Sequence, residues 1–325
     1  MIAISISQEN LQFLKPAKTA SIAYEDRKII LIRAHILGQN VVGEVAPLPH
    51  LSKETIQDCL DFLEIQDGIP EKKQQEWLSE APSSVRFAIE GMLLESSLRG
   101  KPKYDETIKI NGLVWMSDFE QMWQELEEKV ANGFDCIKIK VGQHDFDAEC
   151  RFLEKIRLKY PHNIQIRLDA NGSMHIDDAL YKLKDLNKYT IHSIEQPIKA
   201  NQWDAMQEIC AKSKIKIALD EELINYSGNK TDLLKHIKPA FLVLKPTLLN
   251  GFSNCDLWIK EAQKNDIDWW ATSALESNIG LYQIALWVNK YRPDLPQGLG
   301  TGSLFQKNFT RPFVFVKDQL NWISN

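Results

Sequence analysis

The sequence predicts an α/β protein: a (β/α)8, TIM-like barrel with a smaller α+β lobe at its N-terminal side. Three observations lead there. From residue 107 onward, short β-rich apolar runs alternate with stretches of helical period. Eight such runs can be counted: Thr107–Trp115, Asp135–Lys140, Asn163–Asp169, Thr190–Glu195, Lys214–Asp220, Ala240–Lys245, Ile267–Ser273 and a weaker one near Pro296–Leu299. Ionisable residues close five consecutive runs, Lys140, Asp169, Glu195, Asp220 and Lys245, at separations of 29, 26, 25 and 25 residues. Each step fits one strand, one helix and two loops, so five charged groups share one height, the C-terminal ends of successive strands, where a barrel builds its site. A doubly wound open sheet competes, but no GxGxxG opens its first unit.

At 325 residues the chain exceeds one average domain. Residues 1–106 read as the α+β lobe: a β-rich opening (SIAYEDRKIILIRAHILG), a turn-rich segment (GEVAPLPHLS), and helical patterns at Ser52–Ile65 and Ser84–Leu98. Residues 107–309 form the barrel. The tail, 310–325, contains RPFVFVKDQLNWI, too strand-like for a free end, and is expected to pack back towards the first lobe. Among the barrel helices, FEQMWQELEEKV begins after Ser117 with Glu120 three residues on, a capping-box pattern.

Strand alternation places the charges. In Ile137-Lys138-Ile139-Lys140 the isoleucines face the helix layer, so both lysines point into the barrel. The same phase puts Gln165, Arg167 and Asp169 inside, and Lys216 and Asp220 inside opposite Ile215, Ile217 and Leu219. A barrel interior is usually filled by branched apolar side chains. Isolated charges there cost several kcal/mol each, so they must neutralise one another or a bound ion.

Composition narrows the partners. With 44% hydrophobic and 26% charged residues the chain is neither disordered nor low-complexity. A net charge of −5 argues against a polyanion, so no nucleic-acid partner is expected. No apolar run approaches the ~18 residues of a membrane span, and MIAISISQEN lacks a basic stretch followed by an apolar one. A cytoplasmic protein without membrane partners is expected. Five cysteines with no CxxC suit a reducing compartment, and seven scattered histidines with no HExxH or Cys/His cluster leave oxygen as the ligand of any metal. The oligomeric state stays open.

Asp169, Glu195 and Asp220, meeting at one mouth, supply hard oxygen ligands that suit Mg2+, with Mn2+ as a substitute. A lone strand-end carboxylate is as readily a helix cap; three together with lysines are a buried charge set that capping does not explain. Lys138 and Lys140 flank the site from one side and Lys245 from the other. A lysine near cations and partly desolvated has a lowered pKa and can act as a general base. With a divalent ion and three lysines the formal total reaches about +2, a site that wants an anion such as a small-molecule carboxylate. The chemistry this points to is proton abstraction beside that carboxylate, the resulting enediolate being stabilised by the metal and a lysine.

The segments KIK (138–140), RLDAN (167–171), IEQP (194–197), LDEE (219–222) and LKP (244–246), in this order and spacing, resemble the enolase superfamily in its muconate-lactonizing-like branch. GEVAPLPHLS (43–52), SVRFAIEG (84–91), INGLVWM (110–116), TSALESNIGL (272–281) and QGLGTGSLF (297–305) are most similar to the branch's dehydratases of menaquinone biosynthesis. The resemblance implies syn-dehydration of a 2-succinyl-6-hydroxycyclohexadiene carboxylate to the aromatic succinylbenzoate. Lys140 would remove the α-proton and return it to the departing hydroxide, Lys245 would stabilise the enediolate from the opposite face, and Lys138 would set the charge and position of Lys140. It also implies that residues 1–106 are the family's capping domain, closing over substrate with loops around Phe13–Ala20 and His50–Leu51. The family commonly carries Gly and Arg where this chain reads LKPAKTAS, so Lys15 or Lys18 stands in for an arginine contact.

Other candidates admit two readings. Asn171 is a substrate contact or a turn residue. Ser273, Glu276 and Ser277 touch substrate or start a helix with Asn278. Gly300 and Thr301, in GLGTG, cradle an anion or turn the chain; the stretch lacks the Asp-x-Asp with which dipeptide epimerases of this branch hold an ammonium. Glu221 and Glu222 read as loop or supporting groups, and Trp269 and Trp270 as packing. A racemase of N-acyl, including N-succinyl, amino acids or a dipeptide epimerase would use the same two lysines. A non-catalytic binding barrel would have lost them.

Overall fold

The computed structural model of the chain describes residues 1–18, 23–66, 68–70, 72 and 74–323. The N-terminal strands Ile4–Lys18, Ala23–Ile36 and Gln39–Val45 form an antiparallel meander. In the middle strand, Ile30, Ile32, Ala34 and Ile36 pack on Cys59, Leu63, Leu78, Val85, Ala88 and Met92. Those residues come from helices Ile56–Gln66, Gln74–Glu80 and Ser83–Ser97. Ile29 and Leu31 of the opposite face are also buried, with Leu48, Leu248 and Leu275. Burial on both faces is why this strand reads KIILI rather than alternating, each buried aliphatic side chain contributing roughly 1.5–3 kcal/mol. The short helix Gln74–Glu80 has no clear periodicity and escapes sequence reading.

Seven parallel strands follow in chain order: Gly112–Val114, Cys136–Lys140, Gln165–Asp169, Ile191–Glu195, Lys216–Leu219, Phe241–Leu244 and Asp268–Ala271. The expected eighth strand is reduced to single bridges, Ile110 with Gln297 and Thr272 with Gly298, and these join the sheet's two edges. Gly298 N donates to Ala271 O at 2.7 Å and Gln297 N to Lys109 O at 2.8 Å. Glycine is required here: a Cβ on Gly298 would lie 2.7 Å from the Cβ of Thr272. The expected strand Thr107–Trp115 is split. Its first part, Ile108–Lys109, instead pairs with Gln319–Trp322 of the tail hairpin, Leu320 opposite Ile108. The tail also reaches the first lobe through the Arg311–Glu95 ion pair.

Helices Phe119–Ala131, Phe146–Lys159, Ile176–Leu186, Trp203–Lys212, Lys230–Ile237, Gly251–Lys264 and Asn278–Asn289 ring the sheet. The first of them corrects the capping expectation. Asp118, not Ser117, is the N-cap, its carboxylate accepting from Gln121 N at 2.9 Å; an ionised acceptor there satisfies the free amide and complements the helix dipole.

The strand phase is as expected, with one exception. Trp270 faces inward against Phe241, while Trp269 packs outward on Trp287 and Tyr291. Buried Arg167 stacks its guanidinium 4.1 Å above the Trp270 ring and donates to Pro296 O at 2.8 Å. Lys216 is exposed, its ammonium 5.4 Å from the Phe241 ring; it stands at the N-terminal end of its strand and so keeps its charge hydrated. Among the described residues no helix is long and apolar enough to cross a membrane.

Candidate active site

Register sets the site. Lys140 lies opposite Asp169 and Asp169 opposite Glu195 on adjacent parallel strands, while Asp220 and Lys245 directly follow the next two. One oxygen from each of Asp169, Glu195 and Asp220 lies within 4.8 Å of the others, and all three residues are buried. Lys138 Nζ sits 3.2 Å from Asp169 Oδ2 and 2.9 Å from Glu195 Oε2. Lys140 Nζ is 2.6 Å from Asp169 Oδ2, and Lys245 Nζ is 2.5 Å from Asp220 Oδ2. Glu195 Oε1 and Asp220 Oδ1 are buried without a hydrogen-bond partner. Buried carboxylate oxygens left unsatisfied are costly, and the three clustered carboxylates form a hard-oxygen donor set that fits a divalent cation.

The electrostatics are those of a compressed charge cluster. Burial would raise Asp169, but Lys140, Lys138 and Lys245 outweigh it and hold its carboxyl well below the carboxylate range. Glu195 is pushed up to about 7, first by burial and then by Asp169 and Asp220, against Lys138. Glu221 also rises to about 7, through burial and Asp220. Burial opposes the charge on Lys138 and Lys245, yet Glu195 and Asp169 around the first, and Asp220 and Glu221 around the second, raise both. Lys138 and Lys245 are thus held charged by the carboxylates, counter to the lowered lysine pKa expected from the sequence; a cation taking up the carboxylate charge would oppose this.

Above the carboxylates lies a cavity of about 210 Å3 whose walls include Lys138, Lys140, Lys245, Asn171 and Glu221. Of the other sequence candidates, Ser273, Gly300 and Thr301 line it; from the first lobe, so do His50 and Leu51. Asn171 bridges Lys140 and Glu221, both at 2.8 Å. Glu276 and Ser277 do not line the cavity. Glu276 Oε2 accepts from Ser273 Oγ and Ala274 N, each at 2.7 Å, and its Oε1 from Thr247 Oγ1. Ser277 N and Oγ donate to Glu44 at 2.8 and 2.5 Å. Glu222 is likewise engaged, by Trp203 Nε1 at 2.7 Å and Asn201 N at 2.9 Å. The expected loop Phe13–Ala20 is instead strand as far as Lys18, the first strand running on to there; Lys15 within it pairs with Glu125 at 3.9 Å and lines an adjoining cavity, while the Lys18 side chain, Thr19 and Ala20 lie outside the described residues.

Sequence reasoning missed the groups that tie the lobes together. Arg27 is buried and donates to Ala46 O at 2.5 Å, Pro47 O at 2.6 Å, and Ala274 O and Leu275 O at 3.3 Å. It spans the loop leading to His50 and the loop carrying Ser273. Glu44 receives Ser277 and Gly280 N, the latter at 2.9 Å, and so caps a barrel helix from the first lobe. The available signal was an acid inside the apolar, turn-rich GEVAPLP.

Comparisons agree with this geometry. The family model for the enolase C-terminal domain-like fold matches residues 121–293. The o-succinylbenzoate synthase of Desulfotalea psychrophila is 35% identical over 94% of this chain and 95% of its own. That of Pasteurella multocida is 28% identical over 83% of this chain and 80% of its own. The crystal structure of MenC from Desulfotalea psychrophila superposes with a TM-score of 0.81 at 32% identity, covering 98% of this chain and 99% of that one. The L-Ala-D/L-Glu epimerase from Bacillus subtilis gives 0.89 at 17% identity over 99% and 96% of the two chains, a likeness of fold. The chain belongs to the enolase superfamily, in its muconate-lactonizing-like branch, and within that branch to the o-succinylbenzoate synthase family.

Proposed function

We propose that this chain is a lyase, an o-succinylbenzoate synthase that converts 2-succinyl-6-hydroxy-2,4-cyclohexadiene-1-carboxylate into 2-succinylbenzoate and water by syn-dehydration. One observation carries the reading: Lys140 and Lys245 both line one cavity over the buried Asp169, Glu195 and Asp220, in a chain with this kinship. Lys140 removes the proton α to the substrate carboxylate, then returns it to the departing hydroxide, which leaves as water. Lys245 faces the developing negative charge from the other side. Lys138, between Asp169 and Glu195, sets the charge and place of Lys140. Mg2+, or Mn2+ in its stead, held by the three carboxylates, supplies positive charge for the substrate carboxylate.

In this reading Asn171, Ser273, Gly300 and Thr301 contact substrate, while Glu276 and Ser277 hold the wall behind them. Residues 1–106 act as the cap over a barrel of 107–309, with 310–325 tied back against it. The enzyme works in the cytoplasm on a small carboxylate, without nucleic acid or membrane. The test is ultraviolet-detected aromatisation of the cyclohexadiene substrate with Mg2+, with EDTA, and with Lys140→Ala. Turnover only in the first supports the reading; turnover surviving chelation or the alanine overturns it. Rapid α-hydrogen exchange of an N-succinyl amino acid in deuterated water, with no dehydration, would replace it by a racemase.

A further inference from the structure

Asn171 sits between two groups of opposite hydrogen-bonding character. Its Oδ1 accepts from Lys140 Nζ and its Nδ2 donates to Glu221 Oε1, each at 2.8 Å. Its backbone is already held, at φ 45° with its N–H 3.2 Å from Asp169 Oδ1. An ammonium only donates and a carboxylate oxygen accepts, so the two neighbours leave the amide one orientation. That orientation matters for a base. When Lys140 is the neutral amine, Asn171 Oδ1 engages one of its N–H groups and leaves the lone pair free to face the cavity. A flipped amide would donate its NH2 into that lone pair and compete with the substrate proton. Glu221 lines the cavity, and its other oxygen, Oε2, is buried without a hydrogen-bond partner.

We propose that Glu221 is a positioning residue that locks the Asn171 amide with its oxygen towards Lys140, so that the amine presents its lone pair to the substrate. The inference rests on Lys140 being the base. The experiment is a double-mutant cycle on the Mg2+-loaded enzyme, measuring kcat and KM for dehydration in Glu221→Ala, Asn171→Ala, the double variant and Glu221→Gln. Glu221→Leu replaces the alanine if the latter unfolds. The expected result is a loss of about tenfold in kcat for Glu221→Ala with KM changed less than about twofold. The double variant should be no slower than Asn171→Ala alone, because the effect passes through Asn171. Glu221→Gln, which keeps an acceptor for Nδ2 and loses the charge, should recover to within about threefold of the parent. Losses that multiply in the double variant, a loss carried by KM, or a glutamine variant as slow as the alanine would each overturn the proposal. Lys140→Ala separates the two levels: if it still turns over, the base assignment fails; if it is dead while the cycle multiplies, only the Glu221 assignment fails.

Discussion

Lys138 Nζ lies 2.9 Å from Glu195 Oε2, while Oε1 of the same carboxylate is buried with no partner. The lysine thus satisfies half of a carboxylate that brings one oxygen within 4.8 Å of oxygens of Asp169 and Asp220, and leaves its other half unpaired.

A divalent cation binding there should stabilise the fold. At a hundredfold excess over its Kd, linkage gives about 2.7 kcal/mol, a rise of several degrees in Tm. Thermal melts with Mg2+, with Mn2+ and with EDTA read this directly. Glu195→Gln should lose most of the metal-dependent shift; a shift of the same size in that variant would remove Glu195 from the ligand set.

Lys140 and Lys245 should fail differently from the rest of the cavity wall. Lys140→Ala removes the proton acceptor and should lower kcat by about 10²–10⁴-fold. Lys245→Ala removes charge stabilisation and should cost about 10²–10³-fold. Steady-state kinetics check both, and a loss below tenfold in either would contradict its assigned role.

Arg27 holds four carbonyl oxygens from two loops, and a methionine would leave them buried without donors. Arg27→Met should destabilise the protein by about 3 kcal/mol. It should also raise KM, because His50 and Leu51 follow the loop it grips. Urea unfolding combined with KM measurement tests this; unchanged KM would confine Arg27 to stability.

His192, which is not one of the three clustered carboxylates, provides a pH signature that its own variant isolates. Burial, with Arg167 and Lys216, lowers its pKa to about 4 from 6.5, so the folded state resists protonation more than the unfolded chain. Stability from this group is fully present above pH 6.5 and is lost as pH falls through about 4. Tm followed from pH 7 to 4 should therefore fall less steeply in His192→Gln than in the parent. Parallel profiles would show that His192 does not contribute.

Much of this protein was legible in the chain itself. Local alternation decided which faces of the strands Cys136–Lys140 and Gln165–Asp169 turn inward, and the near-constant spacing of Lys140, Asp169, Glu195, Asp220 and Lys245 set them at one height. Both are properties of neighbouring residues and of strand geometry. The tertiary structure alone decided the rest. It showed that barrel closure at Gln297 and Gly298 takes only single bridges, that Glu276 and Ser277 turn away from the cavity, and that Glu221 reaches Asn171. It also joined Arg27 to Leu275 and Glu44 to Ser277, residues 248 and 233 positions apart. Hydrogen-bond partners so distant in sequence leave no periodic trace; their pairing exists only once both lobes have packed and buried polar groups have had to find one another.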